Sequence, residues 1–233
     1  CLFVGLPLLA LAASGLPADH VRILGSDAFF QALMTSTAIA LASAVLAVSA
    51  AIAIAAAINA MQADGLGFRW IEHASLATLG IPPLLLGVGW FMLLAGLGSP
   101  FALAPVLIVL ANAIMALPFA LQLLRPAMDR HFNQTDRLAA AVRISGWHRL
   151  AMIDLPVLAP ALLSALFFAG ALSFGDLGVV TLYGSDHLTT LPALIYRSMG
   201  SYRTSDAAGL VFYLVLITGT LAFLSLKSAR HAR

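Results

Sequence analysis

Asp176 is the residue of this sequence best placed to do chemistry, being the only acid inside an apolar run, 157–183. Ionisable groups within a membrane span are costly, and they face a cavity, a partner or a solute. Two readings stay open. The carboxylate faces a cavity or a partner, or it caps a helix or pairs with Arg197 or Arg203 near the outer end of the span. Other chemistry is scarce. The six histidines, His20, His73, His131, His148, His187 and His231, include no H-x-x-x-H pair, and each sits near the end of an apolar run or in a loop. That pattern argues against a metal site. Cys1 is the single cysteine, so an internal disulfide or a cysteine-based metal site is not available. Neither the nucleophile pattern G-x-S-x-G nor the phosphate loop G-x-x-x-x-G-K-S/T occurs. No catalytic residue and no cofactor are therefore expected.

The elements that must hold Asp176 are membrane spans. Of 233 residues, 61% are hydrophobic and 9% charged, and the mean hydropathy is +0.99. A soluble domain carries about 25% charged residues, so lipid has to cover much of this chain. A bilayer core of about 30 Å takes about 20 helical residues. Six apolar segments are read, at about 2–16, 33–60, 73–97, 101–124, 157–183 and 207–226, the first short for a span. Ala and Leu dominate them and no period-two alternation appears. The expected fold class is all-α, a polytopic membrane protein of about six transmembrane helices, and not a β-barrel.

Basic residues set the expected orientation. With the polar stretch 125–156 in the cytoplasm, alternation puts Arg69 and the tail Lys227–Arg233 on the same side. That side also holds Arg125, Arg130, Arg137, Arg143 and Arg149, against only Arg22, Arg197 and Arg203 opposite. Cytoplasmic loops carry such an excess, so a cytoplasmic C-terminus is expected. The net charge of +2 is small and its basic residues are dispersed, which does not suit nucleic acid. Pro82-Pro83 falls near the middle of the third segment, where a kink can line a cavity or simply pack between helices. Gly87, Gly89, Gly96 and Gly98 are expected to allow close helix packing. In the outer segment 183–208, Tyr183, Tyr196, Tyr202, Arg197 and Arg203 suit the membrane interface, a bound aromatic cation or phosphate, or a protein contact, with a short helix around Pro192–Met199.

The stretch 125–160 is long for a loop between spans and carries two helical patterns. Leu138, Ala141, Val142 and Ser145 share one face of the first; Trp147, Leu150, Ala151 and Ile153 belong to the second, which Pro156 interrupts. A turn is expected at Ser145-Gly146. Two short amphipathic helices either lie on lipid or dock into a groove of a partner protein. Trp147 with Arg143, His148 and Arg149 suits either.

The run GWHRLAMIDLP, ending at Leu155-Pro156, resembles the latter part of the cytoplasmic coupling loop of type-I ABC importer permeases. In that family the loop carries Glu-Ala-Ala, then Gly, then a helix ending in Leu-Pro. Aligned on Leu155-Pro156, those first positions fall on Arg137-Leu138-Ala139 and the glycine on Arg143. Ala139, Trp147 and Leu155-Pro156 fit the pattern, whereas Arg137 and Arg143 depart from it, which leaves Ser145-Gly146 to supply the turn. From Asn112 to Ala207 the chain is similar to the second half of thiamine transport permeases, most specifically in SFGDLGVVTLYG (173–184) and TLPALIYRSMGSYRTSD (190–206).

That resemblance implies a MetI-like permease in the bacterial inner membrane, working with ABC ATPase subunits, a periplasmic substrate-binding protein and a second permease half. The second half is expected N-terminally in the same full-length chain, in keeping with an opening on Cys1 rather than Met. Residues 1–30 are then expected to hold a truncated first span and outer loop. Residues 31–233 form the permease domain with its coupling loop at about 125–156. Asp176, Pro82 and Pro83 are the candidates for the translocation path. The same layout serves permeases for ferric iron or sulfate, so the cargo stays open. A membrane-embedded enzyme or a stand-alone secondary transporter would need more polar groups at span depth than Asp176 alone.

Overall fold

The structure is a computed structural model, and it describes residues 5–6, 10, 13–63, 80–95, 100–142, 154–183 and 188–231. Every regular element among them is helical: α1 His20–Leu24, α2 Asp27–Ala63, α3 Pro83–Ala95, α4 Ala104–Val142, α5 Leu155–Phe174, α6 Gly178–Tyr183, α7 Leu191–Gly200 and α8 Thr204–His231. A 3-10 turn, Pro100–Leu103, leads into α4. The starts are set by local chemistry. Ser26 accepts from the Phe29 N–H ahead of α2, Asp19 from the Arg22 N–H at α1, and Thr190 from the Ala193 N–H at α7.

Four of these helices carry stretches long and apolar enough to cross a membrane: Asp27–Asn59, Phe101–His131, Leu155–Phe174 and Thr204–Arg230. The shorter apolar stretch Pro83–Leu94 is a fifth piece. They match the second, fourth, fifth, sixth and third segments read above. Most of the first segment, and the third before Gly80, lie outside the described residues.

Helix α5 is the hub and packs on α2, α4 and α8, while α2 and α4 also pack on each other. The seams are built from alanine. Ala44, Ala47, Ala113, Ala116 and Ala169 form one buried layer. Ala51, Ala55, Ala120, Ala161 and Ala165 form the next, with Leu124 and Met128. In lipid, helices gain little from hiding apolar surface, so close backbone approach between small residues holds them. Larger apolar side chains face outward instead, among them Leu41, Val45, Met92, Leu163 and Phe223. Buried hydroxyls add ties, as where Ser225 of α8 donates to the Ser164 carbonyl of α5 at 2.9 Å.

Three local departures follow from proline, glycine and charge. Pro83 is the first residue of α3 and Pro82 stands before it, so the pair opens a helix rather than kinking one. Proline's fixed φ and missing N–H suit that position. The fifth segment is not continuous, because the backbone leaves the helix at Gly175-Asp176-Leu177 between α5 and α6. The polar stretch after Leu124 does not begin as a loop, since α4 runs on through Pro126 to Val142. There Arg125 pairs with Asp129 one turn later at 3.6 Å, and Arg130 donates to the Pro126 carbonyl at 3.1 Å.

Candidate functional site

The break between α5 and α6 places Asp176 at the wall of a cleft. Gly175 closes α5, its N–H donating to the Ala171 carbonyl, and the Asp176 N–H donates to Ser173. Asp176 Oδ1 then accepts from the Gly178 N–H at 3.1 Å, so one oxygen caps the start of α6. The other, Oδ2, is buried and has no hydrogen-bond partner among the described residues. The cleft, about 170 Å³, is lined by Pro83, Asn112, Met115, Phe119, Leu172, Ser173 and Asp176. Drug-sized ligands fill pockets of about 300–1,000 Å³, so this cleft can hold part of a solute rather than enclose a large one.

Beside Asp176, its lining comes from three helices. Helix α4 supplies Asn112, Met115 and Phe119 on successive turns, α5 supplies Leu172 and Ser173, and the first residue of α3 closes one side. Asn112 Nδ2 donates to Ser173 Oγ at 2.9 Å, a buried tie between α4 and α5. Tyr183 of α6 donates to the Gly87 carbonyl of α3 at 2.6 Å. A Cβ on Gly87 would stand 3.2 Å from Leu182 Cδ2, so glycine lets α3 lie close on α6 there. Gly89 faces open space instead, and Gly96 and Gly98 lie outside the described residues. An acid, an aromatic face and a thioether with no basic group among the lining residues make a cleft that favours positive charge.

The structure thus brings together two of the path residues read from sequence, Asp176 and Pro83, while Pro82 is not among the lining residues. It also shows the capping role left open for Asp176. Asn112 and Ser173 were not singled out, although each is a polar group within an apolar span. The outer segment divides. Tyr183 is buried and bonded inward, so it is not an interface residue, because its ring fills the space between α3, α4 and α6. Tyr196 and Tyr202 are exposed, α7 occupies the expected position, and Arg22 of α1 pairs with Asp206 of α8.

Of the residues aligned with a coupling loop, Arg137, Leu138 and Ala139 lie in the last turns of α4. Arg143, Ser145, Gly146 and Trp147 lie outside the described residues. Leu155 and Pro156 open α5, with Pro156 in its first turn, where proline is tolerated. Just before them Asp154 meets His131 of α4, Oδ1 to Nε2 at 2.5 Å, both side chains buried. Sequence reasoning missed that pair, whose members stand 23 positions apart. Among the described residues no group of three or more His, Cys, Asp or Glu could hold a metal ion.

No family model matches the chain. Curated relatives do. The chain is 42% identical over 228 residues, 98% of its length, to a thiamine transport system permease protein of Brucella abortus. It is 35% identical over 91% of its length to the protein of that name in Escherichia coli, and 34% identical over 97% to that of Salmonella typhimurium. These matches take up 42%, 40% and 43% of the relatives, so the chain spans less than half of their length. An all-α, multi-pass membrane architecture and near-complete similarity agree: this chain is similar, over almost all of its own length, to a part of the thiamine transport permeases.

Proposed function

We propose that this chain is a membrane-spanning permease part of an ATP-driven importer that carries thiamine or its phosphates across the bacterial inner membrane. The observation that carries the reading is the 42% identity to a thiamine transport permease across 98% of the chain. A second permease half, N-terminal in the same full-length protein, completes the pathway. A periplasmic binding protein delivers the substrate, and ABC ATPase subunits hydrolyse ATP outside this chain. The segment 125–156, with Arg137, Leu138, Ala139, Arg143, Ser145, Gly146, Trp147, Leu155 and Pro156, docks on the ATPase. The cleft beside Asp176 and Pro83 belongs to the translocation path. Thiamine carries a fixed positive charge, which suits the carboxylate of Asp176, whose Oδ2 has no hydrogen-bond partner among the described residues.

The test is to express the full-length gene with its ATPase and binding protein in cells lacking thiamine uptake, and to follow labelled thiamine. ATP-dependent entry requiring all three parts is the expected result. Asp176→Asn keeps an oxygen for the Gly178 cap but loses the charge. Its uptake is expected to fall about tenfold, the effect of losing roughly 1.4 kcal/mol, at unchanged membrane level. Trp147→Ala is expected to lose uptake through the coupling segment. Full uptake by Asp176→Asn removes the cleft from the path. No thiamine entry from an assembled complex removes the cargo and leaves ferric iron, sulfate or another solute, and entry without ATPase overturns the permease reading.

A further inference from the structure

His131 and Asp154 stand at the two stems of the segment proposed to couple to the ATPase. His131 is the last residue of the apolar stretch Phe101–His131 in α4, and Asp154 immediately precedes α5. Their contact, Nε2 to Oδ1 at 2.5 Å, ties α4 at His131 to the start of α5. One side chain is 3% exposed and the other 10%, low enough that water screens the pair little. Below it, one turn into each helix, Met128 and Leu158 belong to the same buried cluster. A buried ionisable pair is a poor source of stability, because desolvation offsets much of its attraction, whereas apolar replacements of similar volume are often as stable or more so. In some proteins such a pair instead fixes one geometry of the elements it joins.

Resting on the permease reading above, we infer that His131–Asp154 is a clasp that makes the α4 and α5 stems of the coupling segment move as one body. A push on residues 132–153 then reaches both helices together, and with them Asn112 and Ser173, which the same two helices carry to the cleft wall. Without the clasp the packed stems would shift against each other under the push. Both residues are positioning residues: neither touches the solute or ATP.

The experiment uses the full-length permease with its ATPase and binding protein in liposomes, reading thiamine moved per ATP hydrolysed. Three variants are compared with the parent: His131→Ala, the exchange H131D/D154H, and the apolar pair H131L/D154L. The ratio is expected to fall roughly fivefold or more in His131→Ala and in the apolar pair, the low end for energetic coupling between two sites. The exchange is expected to recover most of it. The apolar pair keeps the stems packed, so a loss of ratio at normal assembly and normal ATPase rate separates clasping from simple folding. An unchanged ratio in the apolar pair, or transport and hydrolysis falling together in proportion, overturns the clasp while leaving a coupled parent intact. ATP-independent uptake by the parent overturns the permease reading and the clasp with it.

Discussion

Tyr202 has a backbone φ of 59°, the only positive value outside glycine among the described residues, and its side chain is 92% exposed. It sits in the turn that ends α7, where its N–H donates to the Met199 carbonyl and the Arg203 N–H donates to Ser198. Glycine is the residue this turn prefers, because a Cβ in the left-handed region costs roughly 1–2 kcal/mol. Glycine's freer unfolded chain offsets about half of that. Tyr202→Gly is therefore expected to leave thermal stability in detergent equal or raise it by up to about 1 kcal/mol. A fall in the unfolding midpoint would mean that the exposed ring makes a contact the fold depends on. Residue-scale legibility varied for a physical reason. Asp176 stood out because one acid in an apolar run is conspicuous, whereas Asn112 and Ser173 carry no charge. The His131–Asp154 pair needs the fold to bring its members together, and nothing local in either sequence neighbourhood announces it.

At the scale of helices, the second, fourth, fifth and sixth apolar segments emerged where composition placed them, in α2, α4, α5 and α8. The interruption at Gly175-Asp176-Leu177 was not legible, because so short a break barely alters the hydropathy of a run. The continuation of α4 was legible in part: the helical pattern through Leu138, Ala141 and Val142 was, but its unbroken join to the apolar span was not. A helix whose apolar part is anchored can extend into water on its own ladder and on i,i+4 pairs such as Arg125–Asp129. The alanine seams give this scale its own prediction. Ala165 is fully buried where α5 faces its neighbours, while Leu163, two residues away, is 46% exposed. Ala165→Leu is expected to cost about 1–3 kcal/mol by forcing helices apart. Leu163→Ala leaves the seams alone and is expected to change little. Thermal unfolding of both variants in detergent checks the contrast, and equal losses would mean the seams are not tightly packed.

For the whole molecule, the asymmetry of basic residues leads to an expected cytoplasmic tail after α8. Alkaline phosphatase fused after His231 is expected to be inactive and green fluorescent protein fused there to fluoresce; the opposite pattern would reverse the orientation and move residues 125–156 outside. The hub position of α5 ties this orientation to the proposed mechanism, since one helix borders the cleft at its end and the segment proposed to dock on the ATPase at its start. The alanine seams around that hub carry one more consequence. A methyl group has no rotamers, so two surfaces tiled with methyls have few interlocked knobs to lift clear when one helix slides along another. Interdigitated leucines would have to change rotamer together before any shift, a barrier that rises with every pair. At the layer of Ala44, Ala47, Ala113, Ala116 and Ala169, sliding is therefore opposed less by interlocked side chains than by the polar ties Asn112–Ser173 and Ser225–Ser164.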